Sequence, residues 1–357
     1  MSKYYLGIMC GTSLDSIDIS IIKASGNKIN VANFREYELS QSYKNRINDS
    51  KSKNKTDKKL DGDLSKLLSL NIEDILKRSK LQSENVSAIG YSGITLNHRP
   101  DIGLSTYIGN PKLLKSLTSI PVVADFRQTN IDAGGQGAPL TGFFHEYLNS
   151  SSAKPITFLN LGGFANLSIK DGKNLISYDT GPANYLIDLW CRERLDIEFD
   201  LGGVLSSMGE IDNELLENML RDKYFKQKPP KSTGFELFNM KWVQDKLDQI
   251  KSFKDIDVLS TLSELTIISI ATEILKYKNA PKKIFFYGGG SLNRHITDRI
   301  LELTNFKRVY LKDMGVNEKN LESTTFAWLA MMRMEQKLFD NPSITGSKKS
   351  HLLGKIY

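Results

Sequence analysis

Hydrophobic and polar positions alternate from the start of the chain. YYLGIMC (Tyr4–Cys10), SIDISIIKASG (Ser16–Gly26) and KINVANFREYEL (Lys28–Leu39) carry the period of two that predicts strands, each bounded by Gly, Asn or Ser. At Ser65–Arg78 the apolar spacing changes to three and four, which predicts a helix. VSAIGYSG and PVVADF read as short buried strands, with PKLLKSLTS as a helix between them. The second half repeats this grammar. PITFLNLGG, NLSIK and LISYDTG are strand-and-turn pieces, followed by predicted helices at Ala183–Leu195, Glu210–Arg221, Met240–Gln249 and Leu262–Lys276. KKIFFYGGG is a strand running into glycines, and Glu322–Lys337 an amphipathic helix. No internal repeat of short fixed period is present. Both halves open on β-hairpins and continue as strand–helix alternation, which predicts a duplicated α/β architecture with a cleft between the halves. The long glycine-rich connection at Phe126–Gly137 suggests the boundary, giving residues 1–127 with 340–357 as one domain and 128–339 as the other.

Composition narrows the class. A chain of 357 residues has room for two domains with sizeable cores. No apolar run approaches the roughly 18–20 residues of a membrane helix, and the start, MSKYYLGIMC, lacks a signal-peptide layout. Two cysteines far apart, Cys10 and Cys191, make neither a disulfide framework nor a zinc site. A cytoplasmic protein is the simplest expectation. The net charge of +7 raises the question of nucleic acid. Much of the excess lies in the lysine-rich stretch Ser42–Asp63, which has no interleaved aromatic platform and reads as a solvated helix face or a mobile excursion. An anionic small molecule accounts for the remaining basicity equally well.

Four glycine-containing turns carry the candidate chemistry. In MCGTSLDSID, Gly11 permits close backbone approach while Thr12 and Ser13 offer hydroxyls to an anion. Asp15 and Asp18 beyond it would suit a hydrated Mg²⁺; an ordinary Ser/Thr/Asp hairpin turn is the alternative. NLGGFANLS supplies the pair Gly162 and Gly163 with Asn160 and Asn166 on either side. In YDTGPANYLID a strand delivers Asp179 to a turn containing Gly181, and a helix N-terminus that favours anions follows. FFYGGGSLN places Gly288, Gly289 and Gly290 before Asn293, so that a flat group such as a nucleoside can lie against backbone. Together these turns suggest a two-domain nucleotide clamp. Neither GxxxxGK[ST] nor a GxGxxG after the first strand occurs.

These segments resemble, in order and over almost the whole chain, the anhydro-N-acetylmuramic acid kinases of the sugar kinase, Hsp70 and actin superfamily. MCGTSLDSID is similar to the family's MSGTSxDGxD, DFRQTNIDAGGQGAPL to DFRxxDxAxGGQGAPL, and NLGGFANLS to NxGGIANxT. YDTGPANYLID resembles FDTGPGNxLxD, PPKSTGFELFN resembles PPKSTGRExFN, and STLSELTIISIA resembles ATLTxLTAxSIA. The resemblance implies an actin-like ATPase fold of two RNase H-like domains. It also implies an ATP- and Mg²⁺-dependent reaction that phosphorylates O6 of the anhydro sugar while water opens the bridge at C1. Carried over, Asp179 is the general base and Arg127 and Glu322 are sugar-site residues, with Thr95, His98 and Asn130 as further substrate contacts. Gly11, Thr12 and Ser13, with Gly162 and Gly163, line the phosphates, Gly288, Gly289 and Gly290 adjoin the nucleotide, Asp15, Asn166, Gly181 and Asn293 are further cofactor-binding residues, and Asp15 with Asp18 are the metal candidates. The implied partner is a small amino sugar, without nucleic acid or membrane; a homodimer stays open.

The chain departs from the family pattern at identifiable places. Ser92 and Ile94 stand where GSHGQT has His and Gln, and Asn130 where DFRxxD has Asp. Cys10 replaces a serine, and Ser16 and Ala183 replace glycines. A shifted sugar preference, or a silent homologue that binds an amino sugar or nucleotide, are the alternatives these changes keep open. An Hsp70-like peptide clamp has no separate β-domain to support it. Phe326, Trp328 and His145 read as core or structural residues, Cys10 as a small buried one, and Lys231 as either an anion contact or a solvated lysine.

Overall fold

The computed structural model of the chain describes residues 3–11, 14–26, 28–55, 57–150, 155–311 and 315–357. The residues form two compact units, Met1–Phe144 with Leu311–Tyr357 and His145–Tyr310. The divisions therefore fall at 144/145 and 310/311, where the sequence reading places them at 127/128 and 339/340. The physical reason for the second difference is that helix Leu321–Met334 lies on the first unit's sheet.

In the first unit the strands are Lys3–Cys10 (β1), Ser16–Ser25 (β2), Lys28–Glu38 (β3), Val86–Tyr91 (β4), Ile94–Arg99 (β5), Leu104–Ile108 (β6) and Val122–Ala124 (β7). Among the described residues the sheet order is β3-β2-β1-β4-β7, extended by the short strand Lys355–Ile356. β1, β2 and β3 are antiparallel neighbours, whereas β1, β4 and β7 run parallel. β5 and β6 form a separate ribbon that the sequence reading does not contain. Residues 7 and 90 are register partners and both are glycine, so this patch of sheet has no Cβ atoms and the Leu321–Met334 helix settles directly on it.

The lysine-rich stretch is helical and partly packed. It spans the helices Gln41–Ser52 and Lys58–Arg78, the second capped by the Asp57 side chain, and Ile47 and Leu60 are fully buried in the first unit's core. Its polar face is solvated as expected, but it is no free excursion.

The second unit repeats the order. Its strands are Thr157–Leu161 (β8), Phe164–Asp171 (β9), Asn174–Pro182 (β10), Lys283–Tyr287 (β11) and Lys307–Arg308 (β12), arranged β10-β9-β8-β11-β12. Again the first three are antiparallel and the rest parallel. Third-second-first-fourth-fifth, met twice in one chain, is the duplicated arrangement expected from the sequence. Helix Asp255–Leu275 covers this sheet and begins well before the predicted Leu262, with Asp255 and Asp257 in its first turn where they favour the helix dipole. By length and composition it is apolar enough to cross a membrane, contrary to the sequence reading, yet 83% of that stretch is buried inside the structure. It packs on β9, β10 and neighbouring helices of its own unit.

Candidate active site

Asp179 sits on a β-bulge. The β9–β10 register slips between Asp179 and Gly181, leaving Thr180 as the extra residue, and such an insertion re-aims the flanking side chains. Gly181 has φ +154°, and a Cβ there would meet Phe225 at 2.8 Å. Its missing side chain therefore serves the bulge and the packing against Phe225. The Asp179 carboxylate is nearly buried, and its Oδ2 accepts from the Thr233 N–H at 3.0 Å. The Asp179 N–H donates to the Lys231 carbonyl at 3.1 Å, and the Tyr224 hydroxyl donates to the Asp179 carbonyl at 2.7 Å.

Three of the glycine segments converge beside this strand. Gly162 and Gly163 form the β8–β9 turn, and their carbonyls accept from the N–H groups of Ala183, Asn184 and Tyr185. The first donors of helix Asn184–Arg194 are thus taken by the protein, so that helix N-terminus is not the open anion site read from the sequence. A Cβ on Gly288 would strike Asn160 Oδ1 at 2.3 Å, and one on Gly290 would strike Asn184 Nδ2 at 2.4 Å. Gly289 has open space, and Gly162 meets nothing closer than 3.6 Å. Of these, Gly162 and Gly289 are the positions where another molecule can approach the backbone. Asn166 accepts from the Tyr287 hydroxyl at 3.2 Å. Asn293 is nearly buried and caps helix Arg294–Thr304 by accepting from the Ile296 N–H, so its side chain is engaged structurally and not offered to a nucleotide.

The first unit carries a small cavity, with room for about one water, lined by Ser92, Thr95, Ser105, Tyr107, Asp125 and Arg127, among others. Arg127, at the start of helix Phe126–Asp132, donates to the Gly137 carbonyl at 3.0 Å. Tyr107 donates to Asp125 at 2.8 Å. Ser105 and Tyr107 escape the sequence reading because it does not contain the β5–β6 ribbon that brings them there; Asp125, between β7 and helix Phe126–Asp132, reaches the cavity from the DFR segment. His98 lies in β5, with Nδ1 3.2 Å from Ser105 Oγ; burial, helped by the positive charge of Arg127, pushes its pKa down to about 4 and keeps it neutral.

Asn130 is not a ligand contact. It is fully buried, donates to Thr345 at 2.8 Å, lies 3.0 Å from His351 Nε2 and accepts from the Gly137 N–H. His351 Nδ1 is 3.0 Å from the Lys349 carbonyl, which places the ring proton there and leaves Nε2 to accept from Asn130.

Glu322, in the first turn of the helix seated on Gly7 and Gly90, is pushed up to about 7 by burial and by the Asp18 carboxylate, against the pull of Arg127. Asp18 is itself raised to about 6 by burial, although Ser16 donates to it at 2.6 Å. Asp15 is exposed and salt-bridged to Lys44 at 3.2 Å. The structure thus gives the two Asp residues separate partners. Among the described residues no group of three His, Cys, Asp or Glu side chains gathers to hold a metal. Gly11 accepts from the Leu14 N–H across the β1–β2 turn; Thr12 and Ser13 lie outside the described residues. Cys10 is buried and its thiol pushed up to about 12 by burial, so it is inert. His145 is buried, bonds Ser168 at 2.7 Å and stacks on Phe158, while Phe326 and Trp328 are core residues, all as expected.

The profile of the anhydro-N-acetylmuramic acid kinase family matches residues 3–357. The chain belongs to that family. It is 35% identical over 366 residues to the anhydro-N-acetylmuramic acid kinase of Coxiella burnetii strain Dugway 5J108-111, covering 99% of this chain and 97% of that protein. It is equally 35% identical over 362 residues to the same-named protein of Pseudomonas syringae pv. syringae strain B728a, covering all of both. Within the family's GSHGQT segment, the departures at Ser92 and Ile94 have different fates here. Ser92 lines the small cavity, whereas Ile94 is 3% exposed and belongs to the first unit's core.

Proposed function

We propose that this chain is an ATP-dependent kinase that opens the bridge of 1,6-anhydro-N-acetylmuramic acid with water and phosphorylates O6. The product is N-acetylmuramic acid 6-phosphate, and the setting is cytoplasmic peptidoglycan recycling. Family membership supports the reaction class. The observation that carries the base assignment is the Asp179 carboxylate, aimed by a bulge and held by the Thr233 N–H. In the proposed step water attacks C1, the C1–O6 bond breaks, O6 takes the γ-phosphoryl group as its bond to the β-phosphate oxygen breaks and ADP leaves, and Asp179 takes the water proton. Arg127 and Thr95 contact the sugar, with Glu322 beside Arg127. Gly11, Gly162 and Gly163 approach the phosphates, and Gly289 the nucleotide.

Mg²⁺, when bound, would neutralise phosphate charge. It usually takes one or two carboxylates and keeps several waters. Asp18 fits that role better than Asp15: its carboxylate is desolvated and raises Glu322 in turn, while neighbouring Glu36 is already paired with Lys319 at 2.7 Å, so Asp18 and Glu322 are the acids a cation would relieve. Asp15 would join only by leaving Lys44.

Asp179→Asn tests the reading. An amide cannot accept the proton, so turnover should fall by at least about 10²-fold while ATP binding is kept. In ¹⁸O-water the wild-type product should carry label at the C1 hydroxyl and none in the phosphoryl group. A phosphorylated sugar with its bridge intact would overturn the proposal. Ser92, lining the cavity where the family has His, favours a second reading, an enzyme whose sugar preference has shifted. ADP release across a panel of amino sugars, with and without the anhydro bridge, separates the two.

A further inference from the structure

Lys231 lies in the PPKSTG segment, yet it is only 4% exposed. Its ammonium donates to Glu273 Oε1 at 2.9 Å and lies 4.8 Å from the centroid of the Tyr224 ring and 5.8 Å from that of Tyr178. Glu273, on helix Asp255–Leu275, also accepts from the Tyr178 hydroxyl at 3.0 Å and from Lys276 at 2.8 Å. As a stability device such a pair is poor, because desolvation of both charges offsets most of their attraction and an apolar pair often serves as well.

What the pair does is fix a loop. The backbone just beyond the Lys231 side chain, on either side of Ser232, is bonded to Asp179 through the Lys231 carbonyl and the Thr233 N–H. Tyr224, whose ring the ammonium faces, holds the Asp179 carbonyl. We propose that Lys231, Glu273 and Tyr224 are positioning residues that set the Asp179 carboxylate by clamping the loop that hydrogen-bonds it. The inference rests on Asp179 being the base. Misplacing a catalytic group by about 1 Å costs on the order of 10²-fold in rate, so the clamp acts on turnover more than on binding.

Full-length Lys231→Met, Lys231→Met/Glu273→Gln and Tyr224→Phe variants test it, using ADP release with the anhydro sugar and thermal melting. Lys231→Met leaves the buried Glu273 carboxylate with only the half-exposed Lys276 as its cation and should lose both melting temperature and kcat. The double variant leaves no unpaired buried charge and should regain melting temperature. Its kcat should stay about 10–100-fold low, with both Michaelis constants little changed. Tyr224→Phe keeps the charges in place and should lower kcat without unfolding the protein. Recovery of kcat along with melting temperature in the double variant, or wild-type kcat in Tyr224→Phe, would overturn the inference. Asp179→Asn is the control. Should it turn over normally, the base assignment itself falls; should it be dead while the double variant is fully active, only the clamp falls.

Discussion

Gly7 and Gly90 are register partners on neighbouring parallel strands, and the helix that carries Glu322 rests on both. A Cβ at Gly7 would lie 1.8 Å from the Ser323 carbonyl oxygen, and one at Gly90 2.0 Å from that of Phe326. Both obstacles are backbone, so the helix itself would have to lift. Ser20, opposite Gly7 on β2, continues the row and bonds Ser323 at 2.7 Å. Gly7→Ala should therefore destabilise the protein by about 1–3 kcal/mol or more and displace Glu322. Urea unfolding and sugar-dependent ADP release check the two effects; an alanine variant with wild-type stability would show that the close contact is easily relieved.

The glycine triplet permits a sharper comparison. Gly290 and Gly288 are filled by Asn184 and Asn160, whereas Gly289 faces open space. Gly290→Ala should lower the melting temperature. Gly289→Ala should leave folding intact and raise the Michaelis constant for ATP, because its methyl group occupies space only when nucleotide approaches. Equal effects of the two variants would remove Gly289 from the nucleotide surface.

Ser92 and Ile94 were equivalent as departures from a motif, and the structure makes them unlike. Ser92→His places an imidazole at the small cavity and should lower the Michaelis constant for the anhydro sugar by an amount worth about 0.5–1.5 kcal/mol, the size of one hydrogen bond. Ile94→Gln buries an amide in an apolar core and should cost about 1–3 kcal/mol of stability. Steady-state kinetics on the first and melting of the second are the checks.

The strand grammar, the glycine turns and the place of Asp179 near a strand end were legible because each depends on local pattern: alternation, punctuation by glycine, a carboxylate just before a turn. What was not legible depends on distant partners. Asn130 looked like a sugar contact until Thr345 and His351, more than 200 residues away, took up its amide. Lys231 reads from the sequence as either an anion contact or a solvated lysine, and only the fold brings Glu273 and two tyrosine rings around it. The lysine-rich stretch hid Ile47 and Leu60 among charges, too few apolar residues to announce a packed face. Cavity-lining Ser105 and Tyr107 were missed together with their strand, whose sequence LSTYI is short and follows a Pro-Asp turn.

Glu322 also sets a pH dependence of stability. Its carboxyl rises from the usual 4.5 to about 7 in the folded chain, through burial and the Asp18 charge. In that window the native state binds the proton that the unfolded state has lost, so stability falls as pH rises. The contribution is complete below about pH 4.5 and gone once pH passes through about 7. Asp18, raised to about 6, adds in the same direction, although the two acids titrate as a pair. Glu322→Gln removes the charge and keeps the shape. It should be more stable than wild type at pH 8, by about 3 kcal/mol, and nearly level with it at pH 4.5. The gap should shrink in wild type when a divalent cation is added at pH 8, since a cation beside Asp18 favours the ionised acids. Parallel melting curves for the two proteins across pH 4.5–8 would mean that Glu322 is solvated in solution, and would take away the reason for placing a cation beside it.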